Sequence, residues 1–116
     1  MVRKKTSGQL EHIGIKVDDI GKYVKLFQKL GGIVYYRGVA EKYDADCTFI
    51  RFNNIDIELI KGIGWDKCNL NKQKDGLHHL AFKGKGKYKG AKKGMLVNFN
   101  KPNKNNKILL EMVSYD

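Results

Sequence analysis

Hydrophobic and polar residues alternate along residues 10–17, which read Leu-Glu-His-Ile-Gly-Ile-Lys-Val. The two-residue period predicts a half-buried strand that presents its aliphatic side chains on one face and His12 on the other. A pair of aspartates then supplies a helix cap, and apolar residues recur at helical spacing over residues 20–30 until a Gly-Gly pair ends the run. Three β-prone runs follow, at residues 33–39, 47–52 and 55–60. The first half of the chain is therefore predicted as β-α-β-β-β, with a tight hairpin between the last two strands.

The second half of the chain repeats this chemistry. Residues 76–82, Gly-Leu-His-His-Leu-Ala-Phe, match residues 10–15, and residues 107–113 match residues 54–60. A repeat of about sixty residues indicates that one structural unit occurs twice.

The repeat aligns His79 with His12 and Glu111 with Glu58, but the two copies differ in length. The interval from histidine to glutamate is 46 residues in the first copy and 32 in the second. The missing 14 residues correspond to the helix and second strand, where the second copy has a lysine- and glycine-rich segment. We therefore predict an α+β fold in a single domain over 1–116, with a first module at about 9–62, a linker at about 63–75 and a shortened second module at about 76–115 whose helix is largely missing.

Each of the four repeated polar residues lies on the strand face opposite the main apolar row of its strand. If the apolar rows pack beneath the helix, the polar side chains converge on one concave side of the sheet. Two imidazoles and two carboxylates suit a divalent first-row metal and leave room for water or substrate. The predicted cofactor is one divalent ion (Ni, Co, Mn, Fe or Zn), and octahedral coordination suits the set better than the closed tetrahedron of structural zinc. The predicted ligands are His12, Glu58, His79 and Glu111, whereas His78, by its strand parity, points to the other face and is predicted to be structural.

Composition excludes several classes of protein. A chain of 116 residues that is 41% hydrophobic and 30% charged has the balance of a globular domain. No run approaches the roughly 18 apolar residues of a membrane span, and no apolar signal core follows the basic N-terminus, so we expect a cytoplasmic protein with no membrane partner. The two cysteines, Cys47 and Cys68, encode neither a disulfide scaffold nor a thiolate zinc site and are expected to be reduced structural thiols.

The net charge of +11 has a local origin. Nine lysines and no acidic residue lie between positions 83 and 107, so that 11 − 9 leaves +2 for the rest of the chain. Tyr88 is the one aromatic residue there besides the strand residue Phe99, which is too few for stacking bases and disfavours nucleic-acid binding. The lysines nearest the shortened module are predicted to form a rim for substrate or partner: Lys85, Lys87, Lys89, Lys92 and Lys93.

At the two repeated histidines and two repeated glutamates, the sequence resembles the vicinal oxygen chelate superfamily, which includes glyoxalase I and methylmalonyl-CoA epimerase. The resemblance implies two βαβββ modules that form a mixed sheet cupped around a metal. It also carries the family's ligand positions onto the two histidines and two glutamates named above. The segment Gly76–Phe82 is most similar to the epimerases, whereas a glutamate at position 58 is more similar to bacterial glyoxalase I.

This resemblance implies a metal-dependent isomerase, epimerase or lyase that removes a proton next to a carbonyl through a metal-stabilised enolate or enediolate. Glu58 and Glu111 are the expected catalytic carboxylates that carry the proton. Because the shortened module is predicted to leave an open, positive rim, the expected substrate is a small molecule, in one version an acyl thioester of CoA or of an acidic acyl carrier protein. A non-catalytic ligand-binding or drug-resistance protein of the same fold is the alternative, and a nucleic-acid-binding module is a weaker one. Uncovered strand edges predict a homodimer.

Overall fold

The described part of the chain contains eight strands, one α-helix and two short 3-10 helices, at Glu41–Tyr43 and Leu70–Lys72. The computed structural model describes residues 6–100, 102, 104 and 108–116. The elements are β1 (Thr6–Lys16), α1 (Ile20–Lys29), β2 (Ile33–Ala40), β3 (Ala45–Arg51), β4 (Asp56–Gly62), β5 (Gly76–Gly84), β6 (Tyr88–Lys89), β7 (Met95–Asn100) and β8 (Leu110–Tyr115). No helix among these residues has the length and apolar character required to cross a membrane.

All eight strands belong to one mixed sheet of order β2-β3-β4-β1-β5-β8-β7-β6. β1 and β5 pair antiparallel at the centre, and each pairs in parallel with the last strand of its own module, β4 or β8. Read outward from the centre, the two halves therefore have the same strand order. The predicted α+β fold, a cupped mixed sheet built from two related modules, is confirmed.

The helix of the first module begins and ends where the sequence predicts. The Oδ1 atom of Asp19 accepts a hydrogen bond of 3.1 Å from the Lys22 amide, and Gly31 has a φ of +99° just beyond the helix. The helix packs on the convex face of the sheet, where Val17, Ile50 and Leu59 are buried. This packing directs the opposite face of β1 and β4 into the cup.

The second module keeps all four strand positions but has no helix among its described residues. Only residues 85–87 separate β5 from β6, too few for a helical connection. β6 consists of two residues paired with β7. The prediction that the second strand is missing is thus wrong, because a remnant of it survives in the lysine-rich segment. Of the lysines in that segment, Lys101 and Lys107 lie outside the described residues.

The turn between β6 and β7, residues 90–94, crosses to the opposite edge of the sheet, and we name it the closing loop. The Lys93 amide donates a hydrogen bond of 3.2 Å to the Tyr36 hydroxyl on β2. Ala91 lies so close to Gly38 that a Cβ on this glycine would come within 2.6 Å of the Ala91 carbonyl oxygen. We expected the shortened module to leave the rim of the cup open. This expectation is wrong where the rim meets β2, because the closing loop contacts Tyr36 and Gly38 on that strand.

The linker between the modules is ordered by a carboxylate. The two oxygens of Asp66 accept hydrogen bonds from the amides of Leu70 and Asn71, at 2.8 and 3.0 Å. These contacts place Leu70 in the buried core inside the cup. The Nζ atom of Lys16 also donates a hydrogen bond of 2.8 Å to the Gln73 carbonyl. The linker consequently forms part of the wall of the cup.

Candidate metal centre

The four predicted ligands lie in two rows that cross the centre of the sheet. In one row Gly14 on β1 is paired with Glu58 on β4 and with His79 on β5. In the other row Ala81 on β5 is paired with His12 on β1 and with Glu111 on β8. Each row thus has a histidine and a glutamate on either side of a small residue.

The functional ends of these side chains meet at one point. The Nε2 atom of His12 lies 3.2 Å from Glu58 Oε1 and 3.0 Å from Glu111 Oε1. The corresponding distances from His79 Nε2 are 3.1 and 3.3 Å, and the two Nε2 atoms are 3.0 Å apart. One donor atom from each residue lies within 4.8 Å of all the others. The sequence prediction that these four residues converge is confirmed, while their role as ligands stays a prediction.

The surroundings of the cluster fit a cation. All four residues are buried, His12 completely. Glu111 Oε1 has no hydrogen-bond partner, although it lies close to both imidazoles. An unpartnered carboxylate oxygen is costly in a buried site unless a positive charge satisfies it. A divalent ion among these donor atoms would provide that charge.

Two irregularities in the pairing of β1 with β5 bring additional side chains to the cluster. The pairs Leu10–Phe82 and His12–Ala81 leave Glu11 unpaired, and the pairs Gly14–His79 and Ile15–Leu77 leave His78 unpaired. Such bulges place one extra residue in a strand and redirect its side chain. The two bulges occupy equivalent positions in the two modules, in each case immediately before a cluster histidine.

Glu11 fixes the orientation of His12. The Nδ1–H group of His12 donates a hydrogen bond of 2.6 Å to Glu11 Oε1. With the proton held on Nδ1, the lone pair of Nε2 points into the cluster, as metal-binding histidines require. The sequence analysis did not identify this role, but the repeat contained a signal, because Glu11 and His78 occupy matching positions.

His78 contacts His79 in the equivalent way. The Nδ1 atoms of His78 and His79 lie 2.7 Å apart. The prediction that His78 points away from the site by its strand parity is therefore wrong, because the bulge interrupts the alternation on which it depended. Burial, followed by the charge of His79, lowers the pKa of His78 to about 4. A neutral His78 can accept the Nδ1–H of His79 and direct His79 Nε2 toward the cluster.

The charges within the cluster shift one another's pKa. Burial disfavours the charged form of His79, but its contacts with Glu111 and Glu58 outweigh burial and raise its pKa to about 9. The pKa of His12 is raised against burial by Glu11, Glu111 and Glu58. Burial opposes ionisation of Glu58, yet the two imidazoles lower its pKa well below the ordinary value. Protons therefore bind this cluster tightly, and a metal would have to displace them.

A cavity of about 710 Å³ leads to the cluster, and His79, Glu58 and Glu111 line its inner end. Its walls are largely apolar and come from both modules and from the linker, with Tyr43, Leu70, Val97 and Phe99 among the lining residues. His12 is not among them. The two carboxylates and one imidazole are thus the cluster groups nearest to a molecule in the cavity.

Among the described residues, two lysines line this cavity, Lys42 and Lys67, which the sequence analysis did not single out. Lys42 Nζ lies 4.2 Å from the centre of the Tyr88 ring, itself part of the cavity wall. Lys67 Nζ lies 3.8 Å from Asp44. None of the predicted rim lysines lines the cavity. Their role as a rim stays a prediction, and Lys92 instead contacts Tyr35, Phe49 and Tyr115.

The family model of the glyoxalase/bleomycin resistance protein/dioxygenase superfamily matches residues 11–96. This span covers most of the chain and includes three of the four cluster residues. The protein belongs to this superfamily. No curated protein matches the sequence at a significant level.

Solved structures of similar fold include proteins of known and unknown activity. A hypothetical protein from Bacillus halodurans C-125 matches with a TM-score of 0.80 at 20% identity, over 95% of this chain and 96% of its own. Methylmalonyl-CoA epimerase from Mycobacterium tuberculosis matches with a TM-score of 0.79 at 18% identity, over 100% and 93%. A variant of the Streptomyces coelicolor epimerase, in complex with 2-nitronate-propionyl-CoA, matches with a TM-score of 0.78 at 19% identity, over 92% and 94%. These similarities establish the fold.

Proposed function

We propose that the protein is a divalent-metal-dependent isomerase, epimerase or lyase that removes a proton from a carbon next to a carbonyl group. The observation that carries this proposal is the buried cluster at the inner end of the cavity, with Glu111 Oε1 left without a hydrogen-bond partner. Membership of the superfamily and the fold shared with methylmalonyl-CoA epimerases support it.

His12, Glu58, His79 and Glu111 would hold the metal. When bound, a divalent ion supplies positive charge that stabilises an enolate or enediolate oxygen of the substrate. His12 and His79 are suited to remain in place, because Glu11 and His78 hold their Nδ1 atoms. Glu58 and Glu111 line the cavity and would take the proton from the substrate carbon and return it to another face or another carbon.

The proposed substrate is a small molecule carried as an acyl thioester. The largely apolar walls of the cavity suit an acyl chain, and Lys42 and Lys67 can bind an anionic group of the carrier. Two of the structural neighbours bind CoA-linked molecules, namely methylmalonyl-CoA and 2-nitronate-propionyl-CoA. CoA is therefore the first carrier to test, and an acidic acyl carrier protein the second.

Metal analysis and proton exchange together test the proposal. The purified protein is expected to contain one divalent metal per chain, which His12→Ala loses. In deuterium oxide, the metal-loaded protein is expected to exchange the acidic proton of methylmalonyl-CoA or a related acyl-CoA. Glu111→Gln and Glu58→Gln are compared with Glu41→Gln, which changes an exposed glutamate outside the cluster.

Loss of exchange in at least one cluster variant, with full exchange in Glu41→Gln, is the expected outcome. If exchange survives in both cluster variants, Glu58 and Glu111 do not carry the proton. If metal binds but no acyl thioester exchanges its proton, the non-catalytic ligand-binding alternative is favoured.

A homodimer forms part of the proposal. The convex face of β5 and β8 has no helix over it among the described residues, and Leu80 and Phe82 on that face are partly exposed. A second chain could cover this surface. Analytical ultracentrifugation over a range of concentrations measures the association, and a monomer at all concentrations would contradict it.

A further inference from the structure

A lysine from the closing loop, Lys92, contacts three aromatic side chains near His12, none of which lines the cavity. The Lys92 ammonium donates a hydrogen bond of 3.0 Å to the Tyr35 hydroxyl. Three aromatic rings surround the same Nζ atom, with ring centres at 4.5 Å for Phe49, 5.0 Å for Tyr115 and 5.3 Å for Tyr35. Lys92 is partly buried, so its ammonium group loses part of its hydration. Cation–π attraction to the ring faces offsets this loss.

Two of these rings also contact the groups that hold His12. The Phe49 ring packs edge-on against the His12 imidazole, with ring centres 5.6 Å apart. The Tyr115 hydroxyl donates a hydrogen bond of 3.3 Å to Glu11 Oε2, while Glu11 Oε1 accepts the His12 Nδ1–H. Lys92 therefore contacts Phe49, which packs on His12, and Tyr115, which holds the Glu11 partner of His12.

Charge complements this geometry. The positive Lys92 ammonium and the negative Glu11 carboxylate contact the same Tyr115 side chain, one at the ring and one at the hydroxyl. Asp56 lies in the same region, where Tyr35 donates to it at 2.6 Å and Arg51 binds it through two hydrogen bonds of 3.2 Å. Without the Lys92 ammonium, this region would keep the carboxylates of Glu11 and Asp56 but lose one positive charge.

We propose that Lys92 is a positioning residue for the metal centre, which holds the Phe49 ring and the Glu11–Tyr115 pair against His12 when the closing loop lies against β2. This positioning would strengthen the binding of a divalent cation to His12 Nε2, so the inference rests on the proposed function. Lys92 itself does not line the cavity and takes no part in the proton transfer.

The test compares Lys92→Met, which keeps most of the side-chain volume, with Lys93→Met on the same loop, where residue 93 is exposed. Lys92→Arg serves as the rescue variant and Tyr115→Phe as a second disruption of the same path. Metal affinity is measured by competition with a chromophoric chelator, and cobalt(II) absorption spectra report the coordination. We expect Lys92→Met to weaken metal binding about tenfold, the lower end of the range for outer partners of metal-bound histidines. Lys93→Met and Lys92→Arg should bind as the unaltered protein does.

A second measurement keeps the two proposals separate. In the metal-free protein, nitrogen-15 NMR of the His12 imidazole detects the Nδ1–H proton shared with Glu11, and Lys92→Met is expected to broaden or shift that resonance. If no divalent metal binds the unaltered protein, the proposed function fails, while the NMR comparison still decides the role of Lys92. An unchanged His12 resonance in Lys92→Met, or unchanged metal affinity in a protein that does bind metal, overturns the positioning role.

Discussion

Gly14 lies directly across from His79 on the neighbouring strand, and the imidazole occupies the space that a side chain at position 14 would fill. A Cβ built on Gly14 would lie 2.1 Å from His79 Cε1. A glycine at position 14 is therefore required for His79 to reach the cluster, although glycine has no functional group of its own.

Replacing Gly14 by alanine should displace His79 from the cluster. We expect metal affinity to fall at least tenfold and stability to fall by about 1–3 kcal/mol, typical of overpacking a well-filled site. Gly21→Ala in α1 is the matched control, because its Cβ meets ordinary space and alanine favours a helix by about 1 kcal/mol. Chemical denaturation and metal titration measure both effects. Full metal affinity in Gly14→Ala would show that His79 can shift without loss of the site.

The different Nδ1 partners of the two histidines predict unequal effects of mutation. A carboxylate accepts a stronger hydrogen bond than a neutral imidazole, so Glu11→Gln should weaken metal binding more than His78→Asn does. The expected loss for Glu11→Gln is about 10–100-fold. Calorimetric titration of the metal-free variants measures the order, and a larger loss in His78→Asn would reverse the assignment.

The stability of the metal-free protein should depend on pH through His79 and Glu58. The pKa of His79 is raised from 6.5 to about 9, so its contribution is complete below about pH 6.5 and is lost as the pH rises through 9. The pKa of Glu58 is lowered from 4.5, so its contribution is complete above about pH 4.5 and is lost as the pH falls. Both contributions coincide between these limits.

Calorimetric Tm values of the metal-free protein should therefore decline as the pH rises from about 6.5 to 9. Below pH 6.5 the lowered pKa of His78 opposes the gain from His79, because the unfolded chain protonates this imidazole more readily. Metal affinity should rise from about pH 6.5 to 9, because the metal displaces the imidazole protons. His79→Asn should remove part of the decline above pH 6.5, since His12, whose pKa is also raised, contributes the remainder. A Tm that is constant from pH 6.5 to 9 in the unaltered protein would contradict the raised pKa.

The cavity lysines predict a change in substrate binding without a change in chemistry. Lys42→Gln combined with Lys67→Gln should raise KM for an acyl-CoA and leave kcat nearly unchanged, since neither lysine belongs to the metal cluster. Lys89→Gln is the control, as an exposed lysine of the predicted rim that does not line the cavity. A larger effect on KM in Lys89→Gln would favour the rim predicted from the sequence.

The cluster of two histidines and two glutamates could be predicted from the sequence because two local regularities reinforce each other. Strand alternation assigns a face to His12 and Glu58, and the repeat assigns the same face to their counterparts. The helix was predictable for a similar reason, since Asp19 and Gly31 mark its ends through contacts within one turn.

Features that depend on pairing between distant segments were not predictable in this way. The bulges at Glu11 and His78 arise from the register of β1 against β5, which strand periodicity alone does not specify. The path of the closing loop depends on contacts with Tyr36 and Gly38, more than fifty residues earlier in the chain. Its lysines and glycines lack the apolar spacing that would have indicated where it packs.

The single helix makes the two halves of the cup mechanically unequal. Glu58 lies on β4 next to Leu59, which is fully buried beneath α1. Glu111 lies on β8, which has no helix packed over it among the described residues. Thermal fluctuations should therefore be larger in β8 than in β4, and backbone amides of β8 should exchange with solvent faster. Of the two carboxylates, Glu111 is the one that the architecture leaves freer to move.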